Sequence, residues 1–133
     1  WMTEGDCNSI FLQDANTMCL RADWLAEIIR YVRVKLPEIK RITSYGRANT
    51  LAKITPEDYK MLKEAGLDRI HSGYESGSDK VLALIEKGCT QEEQIIGGRK
   101  VREAGIELSI YFMPGVGGFP MTTPLKRRRL SMR

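Results

Sequence analysis

The feature that most constrains this chain is a repeat. Lys63-Glu64-Ala65-Gly66-Leu67 and Arg102-Glu103-Ala104-Gly105-Ile106 lie 39 residues apart, and each closes a helical pattern just before a strand-like run. Recurrence of that kind is what successive βα units produce, because each unit buries its apolar face only by stacking on the next.

Four strand-like runs alternate with helical patterns from Ser9 to about Phe119. Ser9-Ile10-Phe11-Leu12 is a short apolar run ending in polar Gln13-Asp14-Ala15-Asn16. Arg21 to Leu36 carries Trp24, Leu25, Ile28, Ile29, Val32 and Leu36 at helical spacing, and Pro37 stops it. Arg41–Tyr45 reads as the second strand, ending at Gly46-Arg47-Ala48-Asn49. Thr55-Pro56-Glu57-Asp58 supplies a capping hydroxyl, a proline at the first helical position and first-turn acids. That helix runs through Tyr59, Leu62 and Ala65 to Gly66, which suits a left-handed C-terminal cap. Asp68–Gly73 is the third strand, running into Tyr74-Glu75-Ser76-Gly77-Ser78. Ser78 is placed to cap a helix over Asp79–Lys87 that Gly88 ends, and Thr90-Gln91-Glu92-Glu93 has capping-box spacing for a helix to Ala104. Glu107–Phe112 is the fourth strand, broken by Pro114-Gly115-Val116-Gly117-Gly118. Strands alternating with helices predict a parallel α/β sheet of βα repeats.

Composition narrows the function classes. With 133 residues, 42% hydrophobic and 29% charged, the chain has ordinary single-domain globular make-up rather than that of a disordered, collagenous or disulfide-stapled protein. No apolar run approaches the roughly 18 residues of a membrane span, and no signal-peptide pattern opens the chain. The expectation is a soluble cytoplasmic protein without a membrane partner. The net charge of +4 comes from Lys126, Arg127, Arg128, Arg129 and Arg133, which leave residues 1–125 close to neutral. The basic character therefore belongs to a tail and not to a folded surface, and a nucleic-acid partner is not expected. Cys7, Cys19 and Cys89 are widely spaced and odd in number, which suits reduced thiols. Cys19 and Cys89 read as small buried or part-buried apolar groups. With one histidine, His71, and no Cys-x2-Cys pair, a tight metal site built from this chain alone is not expected.

Ligands of parallel α/β sheets sit at the C-terminal ends of the strands, and all four ends here are polar or glycine-rich. The carboxylate of Glu75 at a strand end can accept two hydroxyl hydrogen bonds, as from a ribose diol, while Gly77 permits close backbone approach and Ser76 and Ser78 add short donors. The same tetrapeptide also reads as a strand-to-helix turn with Ser78 as cap. Met113-Pro114-Gly115 opens a loop whose free backbone groups can meet a planar ligand edge; it also reads as a plain exit from the strand. It lacks the Gly-Lys-Ser/Thr ending of a P-loop. Gln13, Asp14 and Asn16 suit an amino group or a metal-bound ligand, or a cap of the next helix. Arg47 suits a carboxylate, or solvent. His71, inside a strand, is given a packing role and no catalytic one.

Taken in order, these segments resemble the core domain of the radical S-adenosylmethionine (SAM) superfamily. The stretch Gly66-Leu67-Asp68-Arg69-Ile70-His71-Ser72-Gly73-Tyr74-Glu75-Ser76-Gly77-Ser78-Asp79-Lys80-Val81-Leu82, continued by Ile85-Glu86-Lys87-Gly88-Cys89-Thr90, is similar to the family's long "G-x-E-S-G-S-D-x-V-L…K-G-x-T" pattern. Glu103-Ala104-Gly105-Ile106, a strand and then Met113-Pro114-Gly115 keep the family's order. The resemblance covers about residues 9–118. It implies a partial (β/α)6 TIM-like barrel, with SAM and a 4Fe–4S cluster as cofactors and a 5′-deoxyadenosyl radical as the product of their reaction. It places Gln13 and Asp14 near the SAM amino group, Glu75, Ser76 and Gly77 at the ribose, and Met113, Pro114 and Gly115 on the adenine side.

The family binds its cluster with Cys-x3-Cys-x2-Cys, and that motif is absent from this sequence. The expected architecture is therefore an irregular segment over 1–8, about four of six strands over 9–118, and a basic, disordered tail over 119–133. The expected partner is SAM or a related nucleoside, with the substrate unknown. Three readings follow: a radical SAM enzyme fragment inactive by itself, a non-catalytic SAM- or nucleotide-binding module, and an interaction protein acting through its basic tail, where Arg128-Arg129-Leu130-Ser131 resembles a basophilic kinase site. Two unpaired parallel edges are also expected to favour self-association.

Overall fold

The computed structural model describes residues 8–118. Cys7, the segment 1–7 and the basic tail lie outside the described residues, so the expectations for them have no structural counterpart here.

Four parallel strands, β1 (Ser9–Leu12), β2 (Arg41–Tyr45), β3 (Arg69–Glu75) and β4 (Glu107–Phe112), pair in sequence order. Ser9 lies opposite Arg41, Thr43 opposite Arg69, and Arg69 opposite Glu107. A sheet that always adds its next strand on the same side must send each right-handed crossover over the same face. All helices therefore cover one face and leave the other as an inner surface, the arrangement of a partial barrel.

Five α-helices fill the crossovers: α1 (Ala22–Lys35), α2 (Ala48–Lys53), α3 (Pro56–Ala65), α4 (Asp79–Leu84) and α5 (Gln91–Glu103). Strand side chains alternate between faces. Ile42 and Ile70 point into the helix layer and join Leu25, Ile29, Leu51, Tyr59, Leu62, Leu67, Val101 and Ile106 in one core. The half-buried Leu108 of β4 packs against that core. Tyr59 is fully buried and donates its hydroxyl to the Leu51 carbonyl at 2.8 Å, and burial holds its pKa far above the ordinary phenol value.

The caps form largely as the sequence dictates. The Thr55 hydroxyl accepts from the Asp58 amide at 3.1 Å, a cap contributing about 1 kcal/mol. Thr90 and Glu93 complete a reciprocal capping box, and Gly66 ends α3 with φ 111°. Three expectations need correction. Ser78 stands at the α4 N-cap position but its hydroxyl caps nothing; its own amide instead donates to Ser76 Oγ at 3.2 Å. The helix that the sequence extends to Lys87 stops at Leu84, because Glu86 (φ 50°) and Gly88 (φ 72°) turn the chain left-handed. Cys19 is exposed on a short 3-10 turn, Thr17–Cys19, because the buried positions there go to Thr17 and Met18. Cys89 is part-buried, as expected.

The two ends of the sheet differ in kind. At the N-terminal ends, Arg33 donates to the Ile39 carbonyl (2.7 Å), the Gly66 carbonyl (2.8 Å) and Asp68 Oδ2 (2.6 Å), and that carboxylate also accepts the Ile42 amide (2.7 Å). One guanidinium thus ties α1, the end of α3 and β2 together. The C-terminal ends carry the loops and the candidate ligand groups.

Candidate functional site

Glu75 ends β3, two residues beyond the strand end read from the sequence, and it does so in a left-handed conformation with φ 64°. A register shift between Gly73 and Glu75 produces the turn, and the Ser76 amide folds back on the Tyr74 carbonyl at 2.7 Å. A non-glycine residue pays about 1–2 kcal/mol for this backbone, so neighbouring contacts must hold it there. They do: Lys87 Nζ donates to Glu75 Oε1 at 2.9 Å, with both side chains about four-fifths buried. Gly73 provides the room, because a Cβ at that position would stand 2.5 Å from Glu75 Oε1 and 3.0 Å from the Tyr45 hydroxyl.

Lys87 is itself placed from α2. Arg47 donates to the Lys87 carbonyl at 3.3 Å and Asn49 to the Gly88 carbonyl at 3.1 Å. Arg47, exposed, thus grips a backbone carbonyl rather than a carboxylate. Asn16 bridges to the same helix: its Oδ1 accepts the Arg47 amide at 3.0 Å and its Nδ2 donates to Thr50 at 2.9 Å. Its side chain makes no cap bond to the short 3-10 turn that follows it. These contacts enclose a cleft of about 230 Å³ lined by Ala15, Tyr45, Arg47, Asn49, Gly73 and Lys87. Buried Asn49 Oδ1 has no partner among the described residues.

The other candidate groups share this rim. The Met113 amide donates to the Glu75 carbonyl at 3.0 Å, so the end of β4 is tied directly to the end of β3. Pro114 and Gly115 follow in exposed turns, with Gly115 at φ 83°. The Gly77 carbonyl accepts from Gln91 at 2.7 Å, and Ser76 serves the local turn. Gln13 and Asp14 are exposed beyond β1, where Asp14 accepts the amide of Ala15, the residue that lines the cleft. Two strands separate them from β4.

Sequence reasoning missed Lys87, Tyr45 and the helix that holds Lys87. The signal was present in Lys87-Gly88, where a cation precedes a left-handed glycine, but its partner lies 12 residues back across α4. His71 packs on the inner face as expected, between the rings of Phe11 and Tyr111.

The two described thiols do not come together as ligands of an iron–sulfur cluster. Such a cluster needs three thiolates in close reach, whereas Cys19 sits on the turn before α1 and Cys89 before α5. Among the described residues no group of three His, Cys, Asp or Glu side chains is close enough to hold a metal. The Lys87 ammonium and the Tyr45 phenol line this cleft, and the Glu75 carboxylate stands beside it, held by Lys87.

Comparison with known proteins gives a consistent picture. The description of the radical SAM superfamily matches residues 4–126. Over 49 residues the chain is 49% identical to 4'-phospho-dehydrooxetanocin synthase of Priestia megaterium, a match covering 37% of this chain and 7% of that protein. Among solved structures, the cobalamin-dependent S-adenosylmethionine radical enzyme OxsB with aqua-cobalamin bound is similar with a TM-score of 0.64 at 28% identity, over 79% of this chain and 16% of that one. The same enzyme with aqua-cobalamin and S-adenosylmethionine bound gives a TM-score of 0.63 at 29% identity, with the same coverage. The chain therefore spans a small part of the length of the proteins it matches. By its family match and its parallel α/β architecture, this chain belongs to the radical SAM superfamily.

Proposed function

We propose that residues 9–118 form the SAM-binding part of a radical SAM enzyme core, between an N-terminal segment over 1–8 and a basic tail over 119–133. The observation that carries this reading is Glu75: a carboxylate pinned by Lys87 at a strand end, in a strained backbone conformation, over a glycine that clears its space. A carboxylate offers about four lone-pair positions, so one ammonium leaves room for both hydroxyls of a ribose. Ser76 and Gly77 lie beside that diol, Met113, Pro114 and Gly115 offer backbone groups to the adenine edge, and Gln13 and Asp14 face the amino group. In the intact family SAM and a 4Fe–4S cluster together supply the 5′-deoxyadenosyl radical. This chain's own residues bind and orient SAM, and no radical step is assigned to them because the sequence lacks Cys-x3-Cys-x2-Cys.

Saturation-transfer NMR with SAM tests the reading. Strong transfer to the ribose protons, with no 5′-deoxyadenosine formed after anaerobic iron–sulfide reconstitution and reduction, is the expected result. Absence of transfer would refute SAM binding, and 5′-deoxyadenosine would refute the division between binding and radical formation.

A further inference from the structure

A second cluster lies on the inner face of the sheet, nearer the N-terminal strand ends than Glu75. Three rings cross that face in a row. The centroids of Phe11 and His71 are 5.5 Å apart with planes tilted by 47°, and those of His71 and Tyr111 are 5.8 Å apart with planes within 13°. The Tyr111 hydroxyl lies 2.9 Å from His71 Nδ1, joining the two rings at their edges. Register explains the row. Phe11 stands opposite Thr43 on β2, His71 opposite Ser109, and Tyr111 opposite Gly73. Thr43 is buried and Gly73 has no side chain, while Tyr45 on β2 and Ser109 on β4 stand opposite His71 and flank the row. Phe11 is 45% and Tyr111 50% exposed, and none of the three lines the Glu75 cleft.

The chemistry of the row is specific. Burial and the nearby Arg69 lower the His71 pKa, outweighing the opposite pull of Glu107, which favours the neutral imidazole. With Nδ1 facing Tyr111, Nε2 has no hydrogen-bond partner among the described residues. The His71 and Tyr111 planes lie within 13° of each other, and flat conjugated rings gain from offset stacking as well as from buried area. Charge brackets the row at both ends: Arg69 pairs with Glu107, with Arg41 3.7 Å from the same carboxylate, on one side, and Glu75 pairs with Lys87 on the other. A hydrocarbon ring would displace water from those charges without replacing its hydrogen bonds; a ring with polar edges would not.

We infer that Phe11, His71 and Tyr111 form a stacking floor for a planar heteroaromatic ligand, separate from the Glu75 cleft. The assignment does not depend on SAM binding. His71 is the chain's single histidine, so its imidazole signals are identifiable by NMR without assignment. The full chain is titrated with nicotinamide, a neutral planar heterocycle, and in parallel with cyclohexanecarboxamide, a neutral puckered amide of similar size. The expected result is a saturable upfield shift of the His71 ring protons with nicotinamide and none of that size with the puckered amide. Tyr111→Leu and Phe11→Leu should each weaken binding about fivefold, while Tyr111→Phe, which keeps the ring, should retain it within about twofold. The backbone amide fingerprint reports whether each variant is folded. No saturable shift, equal binding of the puckered amide, or unchanged affinity in a folded Leu variant would overturn the assignment.

Discussion

Glu75 and His71 carry the measurable chemistry at the scale of single residues. The φ of 64° at Glu75 is held by a register shift and an ion pair, so its cost and its function are separable. Glu75→Gly removes both strain and carboxylate, whereas Glu75→Ala removes only the carboxylate. Urea unfolding should find the glycine variant more stable than the alanine variant by about 1 kcal/mol; equal stability would mean that the backbone is relaxed in solution. For His71 the folded-state pKa lies below the unfolded value, because burial and Arg69 disfavour the imidazolium. The unfolded chain then binds the extra proton first. Its contribution to stability is present above the unfolded pKa, about 6.5, and is lost as pH falls through the lowered folded value. The urea midpoint should drop on acidification through that window, and His71→Gln should remove this part of the drop. An identical pH profile in the variant would contradict the assignment.

At the scale of elements, the close approach of α2 and α5 decides where the cleft wall stands. Gly97 makes it possible: a Cβ there would lie 3.0 Å from the Ala52 amide nitrogen and 3.0 Å from Leu51 Cβ. Lys100 fastens the same contact by donating to the Ala52 (2.7 Å) and Ile54 (3.0 Å) carbonyls at the end of α2. Gly97→Ala should therefore destabilise by about 1–2 kcal/mol despite alanine's better helix propensity, and calorimetry would show it as a lower Tm. A rise in Tm would mean that α2 moves aside freely. These contacts also show how far the sequence was legible. The four strands, the Thr55 and Thr90 caps and the Gly66 stop follow from signals within a few residues. The six-residue α2 has no such signal, because Leu51, the Tyr59 hydroxyl and Lys100 stabilise it from elsewhere in the chain. Likewise Glu75 was legible as a strand-end carboxylate, but Lys87 becomes its partner only after α4 ends at Leu84. The pairing of Tyr111 with His71 depends on strand register, which the sequence pattern does not specify.

The described residues carry an ion pair at each end of the sheet, Arg33 with Asp68 at the N-terminal strand ends and Lys87 with Glu75 at the C-terminal ends, where binding is proposed. Among the described residues β1 and β4 each pair with one neighbour, so each presents an unpaired parallel edge. Beside β4, the half-exposed Ile110 and Ile95 line a trough of about 560 Å³. Open edges and exposed apolar rows drive association, so sedimentation of the chain should show a concentration-dependent shift to larger species, and a monomer at all concentrations would contradict this. The central claim is that Glu75 makes this end a SAM site, and calorimetric titration of the intact chain with SAM tests it most directly. The account predicts saturable binding, weakened at least about tenfold by Glu75→Gln and similarly by Gly73→Ala, whose added Cβ would displace the carboxylate. Undetectable binding, or equal affinity in wild type and Glu75→Gln, would contradict it.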